Sequence, residues 1–149
     1  RAARAWGRIG DCCLKISGDV PGYRDFAEAA YRNALAVTGP ISANVRSQIH
    51  FGLAQTLERR GAAGEARQEA LQLAVNELLK VFYGDLLADR LDPYWRGQSG
   101  LMAMRLLEEL GKHDEALKIC AEMEKDFPGM RAGLRLRRAR LEKLQSGHP

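Results

Sequence analysis

The chain has 149 residues, 46% of them hydrophobic and 28% charged, with a net charge of +4. That length suits one compact domain or a short repeat array, and the apolar share excludes wholesale disorder. No run of 18 apolar residues occurs, so no membrane-spanning helix is expected.

Apolar spacing is helical almost from end to end, and no stretch alternates at period two long enough for a strand. Breakers at Ser17–Gly22, Gly39-Pro40, Gly61–Gly64, Asp92-Pro93 and Pro128-Gly129 divide the chain. Seven helices are predicted, over about 2–16, 23–38, 42–60, 64–88, 94–110, 113–126 and 130–145. The first carries Trp6, Ile9 and Gly10. The second follows Gly22 with Ala27, Tyr31 and Ala34. In the third, Val45, Ile49, Leu53 and Leu57 recur at steps of four. The fourth is overlong and predicted to reach past Phe82. The fifth starts at Asp92 as N-cap, with Pro93 in its first turn. Tyr94 and Trp95 are expected to pack on the preceding long helix; the alternative is an exposed aromatic contact patch. Its apolar face is Leu101, Met104, Leu107 and Leu110. The sixth presents Ala116, Ile119, Cys120, Met123 and Phe127 on one face. In the last, Met130, Leu134, Leu141 and Leu144 form a narrow stripe. The chain begins at Arg1 rather than methionine, so a piece of a longer or processed protein is expected, with any targeting signal outside it.

Three windows look alike: "GYRDFA" at Gly22–Ala27, "GAAGEA" at Gly61–Ala66 and "GKHDEA" at Gly111–Ala116. Each follows one amphipathic helix and opens another. Glycine tolerates the left-handed backbone angles of a tight link, and the alanine in sixth place lets two helices approach closely. Trp6, Ile9 and Gly10, then Ala27, Tyr31 and Ala34, match W-x2-L-G and A-x3-F-x2-A. Leu53-Ala54, Leu57 and Gly61 stand at the matching places of a second unit, followed by Ala66, Ala70 and Leu73. Leu107, Gly111, Ala116, Cys120 and Phe127-Pro128 do so for a third, counted from Gly97. The chain thus resembles the tetratricopeptide repeat, a helix–turn–helix unit of about 34 residues. It departs from that pattern in spacing, since the turn glycines lie 39 and then 50 residues apart.

The resemblance implies an all-α, right-handed helical-hairpin solenoid in one domain. Its repeats would cover about 3–38, 47–75 and 97–130, with an insertion over about 76–96 and a capping helix over about 130–145. It also implies a non-catalytic module that holds a protein or peptide in a concave groove lined by the first helix of each repeat. Carried over, the groove positions are Arg4, Gly7, Asp11 and Leu14, then Gln48, Phe51, Gln55 and Glu58, then Gln98, Leu101, Arg105 and Glu108. Phe51 and Leu101 are its apolar anchors. The Lys/Asn/Arg clamp by which some family members take C-terminal carboxylates is absent, since Gly7, Asp11 and Gln55 stand in its place.

Little points to chemistry. His113 falls in a turn and Cys120 about two helical turns on, with no further ligand near in sequence, so no metal site is expected. Asp114 and Glu115 are acids of a first helical turn, favoured by the helix dipole. Gly97-Gln98-Ser99-Gly100 lies inside a predicted helix with no strand before it, so it is not a phosphate loop. No cofactor and no catalytic residue is assigned. Cys12, Cys13 and Cys120 are odd in number, two of them adjacent, and are expected as reduced, at least partly buried thiols. Charge is uneven: between Arg131 and Lys143 six cations face Glu142 alone, +5 in thirteen residues, leaving −1 for the rest. Arg131, Arg135 and Arg138 cluster on one side of the last helix. That basic patch carries the alternative reading, an electrostatic binder of nucleic acid or an anionic surface. No aromatic residue is interleaved with it, so base stacking has no support.

Overall fold

The computed structural model describes residues 1–84 and 92–147, which form α1 (Ala2–Ile16), α2 (Tyr23–Ala36), α3 (Ala43–Glu58), α4 (Gly64–Phe82), α5 (Pro93–Glu109), α6 (His113–Asp126), a 3-10 turn (Pro128–Met130) and α7 (Arg131–Gln145). No strand occurs among the described residues, and no helix there is long and apolar enough to cross a membrane. The helix ends follow local chemistry. The Ser42 side chain accepts from the Val45 N–H and opens α3. The Asp92 carboxylate accepts from the Trp95 N–H at 3.1 Å, with Pro93 in the first turn, and opens α5. Gly111 takes φ +74° after α5, and the Lys112 N–H turns back to the Leu107 carbonyl.

Each helix packs on the next along the chain, and α1 also meets α3, as α3 meets α5. One core joins them, with Leu53, Leu71, Phe82, Met104, Leu107 and Met123 all buried. Its tightest point is Tyr31 of α2, which is fully buried against Gly10 of α1 and Gly52 of α3. A Cβ added at Gly10 would lie 2.6 Å from ring atom Cε1, and one added at Gly52 would lie 2.6 Å from the same atom. Two glycines thus make the slot in which one ring ties three helices together.

Four expectations need correction. First, α4 stops at Phe82 and does not run to 88. The Tyr83 N–H closes the last turn onto the Leu79 carbonyl, and Gly84 leaves the helical path at φ +83°. The greater part of the presumed insertion after it, residues 85–91, lies outside the described residues. Second, the contact alanine expected after Gly61 is not Ala66. Ala27 and Ala116 are fully buried as contact alanines, but Ala66 is exposed. The buried set Ala70, Leu71 and Ala74 aligns with Ala30, Tyr31 and Ala34, so Arg67 stands in the alanine's place and Leu73 points outward. Gly64 opens α4 at φ +63°. Gly61 is still required, because a Cβ there would strike the Ala66 carbonyl. Third, the stripe of α7 is shorter than expected: only Leu134 and Leu141 are buried, and Leu144 is exposed. Fourth, the cysteines differ: Cys120 is buried and Cys13 half-buried, but Cys12 is exposed, and all three are free thiols.

A polar and aromatic face across α1, α3 and α5

The expected groove residues fall on the three helices that meet as α1, α3 and α5. Several bond to one another across the helix boundaries. Between α1 and α3, Asp11 accepts from the Tyr31 hydroxyl and from Gln48 Nε2, each at 2.7 Å. Burial and the Asp11 bond together push the Tyr31 phenol far above its ordinary value. That bond ties α2 to α1. Between α3 and α5, Arg105 grips Glu58 with both nitrogens, at 2.8 and 3.2 Å. Between α5 and α7, Glu108 accepts from Arg140 at 2.6 Å and lies 3.7 Å from Arg137. Asp11, Gln48, Arg105 and Glu108 are thus brought together in pairs, but as stitches between helices.

Two residues expected to face the groove turn inward. Gly7 packs on Ile49, and Leu14 is buried. Both lie on the side of α1 that meets its neighbours. Arg4 stays on the surface, away from the stitched pairs. The half-buried Gln55, Gln98 and Leu101 remain on the face. Gln55 and Gln98 carry no side-chain hydrogen bond among the described residues.

The aromatic content of the face is greater than Phe51 alone. Phe51 meets Trp95 at a ring-centroid distance of 5.3 Å, and Trp95 meets Tyr94 edge-on at 5.0 Å. Trp95 therefore also meets α3. Its place is fixed by the capping bond of its own N–H to Asp92, whose other oxygen accepts from Asn44 of α3 at 3.0 Å. The Asn44 bond, then the Trp95 bond, holds the Asp92 carboxyl below the ordinary range. Tyr94 ends the run 64% exposed. The result is an apolar, aromatic step at one end of the face, rimmed by amides and charges, an arrangement suited to gripping a polypeptide.

The basic patch is largely spent inside the molecule. Arg138 reaches Glu124 of α6 at 2.7 Å, and Arg131 Nε donates to the Glu124 carbonyl at 3.1 Å. Only Arg135 of that trio has no partner among the described residues. Of the trio, Arg138 alone meets carboxylates, Glu124 of α6 and Glu142 of α7, whereas the partner of Arg131 is a backbone carbonyl.

Two other polar groupings are structural in their geometry. His50 Nδ1 and Glu77 Oε2 share a hydrogen bond of 2.7 Å between α3 and α4, with Lys80 on the other carboxylate oxygen. His113 opens α6, and Cys120 lies buried with its thiol donating to the Leu134 carbonyl. Arg1 and Arg8 were passed over by the sequence reading. With Arg4 they recur at i, i+3 and i+7 along α1, a pattern that places them on one helix face.

Compared with models of protein families, with curated proteins and with solved structures, the chain matches nothing.

Proposed function

We propose that the chain is a non-catalytic protein-interaction module, a right-handed solenoid of tetratricopeptide type that holds a protein or peptide on the α1–α3–α5 face. The observation that carries this reading is the run Tyr94–Trp95–Phe51, two half-buried rings ending in an exposed one. Rigid aromatics on packed helices lose little entropy on binding, and the amides of Gln55 and Gln98 beside them can take backbone hydrogen bonds. The contacts of α1 with α3 and of α3 with α5 are those expected of the first helices of successive repeats. The electrostatic alternative is weakened because Arg131 and Arg138 already have partners in α6.

The test is a displayed random-peptide library panned on the chain. Selected peptides are then titrated against Tyr94→Ala, Trp95→Ala and the triple Arg131→Gln, Arg135→Gln, Arg138→Gln variant. Loss of about 1–3 kcal/mol in the aromatic variants, with the triple variant unchanged, supports the groove. Peptides that ignore both aromatics, depend on the arginines and weaken steeply with salt would establish the electrostatic reading instead.

A further inference from the structure

Arg1, Arg4 and Arg8 line a cleft of about 570 Å³ between α1 and the link from α2 to α3. Its other wall is Pro40 and Ile41 of that link and Val45 in the first turn of α3. The arginines recur at i, i+3 and i+7, so they stand on one side of α1. All three are exposed, whereas Ile41 is half-buried and Val45 buried. The cleft is an apolar floor with a cationic rim.

No acid lines the cleft, and none of the three arginines has a partner among the described residues. Elsewhere the fold answers its cations with its own acids: Arg60 with Glu28, Arg67 with Glu109, Arg105 with Glu58. Asp11, the one acid of α1, is already taken by Tyr31 and Gln48. Like charges one helical turn apart repel, and an anion set among them turns that repulsion into attraction. The floor then decides among anions. A phosphate ion gains nothing from Ile41 and Val45. A nucleic acid base stacks on an aromatic ring, and the cleft has none. A lipid surface calls for apolar side chains that protrude, and these are sunk. A carboxylate beside an apolar side chain, as in an acidic peptide, satisfies both rim and floor.

We propose that the cleft takes an acidic segment of the polypeptide held on the α1–α3–α5 face, with carboxylates on Arg4 and Arg8 and a neighbouring apolar side chain over Ile41 and Val45. Neither Arg8 nor the link stands at a groove position that the repeat resemblance supplies. On the groove reading above, on which this rests, the cleft and the aromatic step flank the start of α3. Val45 faces the cleft, while its neighbour Asn44 ties Asp92, whose cap places Trp95 against Phe51. Packed helices lie about 9 Å apart, so the way from α1 across α3 to α5 is about 18 Å, which five or six extended residues cover at about 3.3 Å each. One peptide can therefore set a large apolar side chain at Tyr94 and its acids at Arg4 and Arg8.

The probe is a displayed library of random peptides of about twelve residues, twice the estimated span. It is panned side by side on the chain and on the Arg4→Gln, Arg8→Gln double variant, two exposed positions whose folding is checked by circular dichroism. The parent should enrich Asp and Glu about five or six residues from a large apolar residue; the double variant should lose the acids and keep the apolar residue. A fluorescein-labelled synthetic copy of the leading acidic peptide should bind the double variant about tenfold more weakly. It should bind Arg135→Gln with Lys143→Gln, which removes the same charge from α7, as it binds the parent. Peptides without enriched acids, acids enriched equally by the double variant, or equal losses in the two double variants would overturn the proposal; if Tyr94→Ala still weakens those peptides, the groove reading stands without it. Acidic peptides that depend on Arg4 and Arg8 but ignore Tyr94→Ala and Trp95→Ala would support the cleft and refute the groove. Enrichment of no peptide by the parent refutes both. Binding of a thymidine oligonucleotide or of phosphatidylserine vesicles through Arg4 and Arg8, with no acidic peptide bound, would assign the cleft to another polyanion and refute the peptide.

Discussion

Gly52→Ala tests the close contact of α3 with the Tyr31 ring. In the interior of an exposed helix, alanine is favoured over glycine by about 1 kcal/mol, so without a tertiary contact the change would stabilise α3. Here the new methyl would stand 2.5 Å from the Tyr31 hydroxyl oxygen and 2.6 Å from Cε1. The ring has little room to shift, because Gly10 also crowds Cε1 and the hydroxyl is held by Asp11. Moving it breaks the Asp11 bond or forces α1 and α3 apart. Overpacking of this kind costs about 1–3 kcal/mol beyond the lost propensity gain, so the sign of the substitution should reverse. Urea unfolding followed by circular dichroism reads it as a lower midpoint at unchanged m. Gly52→Ala in a Tyr31→Leu background, where the ring edge is gone, should cost much less than in the parent. A Gly52→Ala protein as stable as the parent, or the same cost in both backgrounds, would refute the slot.

Three further outcomes follow from the same packing. Ala116→Leu should destabilise by about 1–3 kcal/mol in thermal unfolding, whereas Ala66→Leu, at an exposed place, should stay within about 0.5 kcal/mol; equal costs would restore Ala66 as the contact alanine. Burial alone raises the Glu77 carboxyl, but the hydrogen bonds from His50 and Lys80 outweigh it and hold it below its ordinary 4.5. A depressed carboxyl stabilises the fold above its unfolded value and loses that contribution as pH falls through the folded one. The parent should therefore lose more Tm than Glu77→Gln between about pH 6 and pH 3, and parallel curves would contradict it. A disulfide reagent should label Cys12 at once and Cys120 only on unfolding, since burial, then Glu124, raises the Cys120 thiol; Cys12→Ser should remove the fast phase.

Helix positions were legible because each is written locally. Caps such as Ser42 and Asp92, and the glycine after α5, act within a few residues of themselves, and all the described helices begin within about two residues of where periodicity places them. The exposure of Ala66 was not legible, because "GAAGEA" and "GKHDEA" spell the same motif. The difference is the backbone angle of Gly64, which the letters do not carry. The end of α4 failed for a related reason. The apolar pattern of Leu78, Leu79, Val81 and Phe82 continues in the sequence, and only the left-handed turn at Gly84 stops it. The contact of Trp95 with Phe51 of α3 was not legible, because it is made between residues 44 apart in sequence.

Charge was the feature read least well, and the reason is geometric. Counting along a segment weighs each cation against acids of the same segment. In the folded chain Glu124 of α6 takes Arg138 and Glu108 of α5 takes Arg140, while Arg131 donates to the Glu124 backbone carbonyl. The segment with +5 is thereby turned into a clasp that holds the last helix down. The opposite happens at the other end. Arg1, Arg4 and Arg8 attract no notice in a region with ordinary composition, but no acid of the described chain reaches them. Asp11, the one acid of α1, is already bound to Tyr31 and Gln48. A pair inside a fold contributes little to long-range attraction, whereas an unpaired surface cation contributes steering. Among the described residues such cations stand at both ends of the chain, Arg1, Arg4 and Arg8 at the first helix and Arg135 on the last.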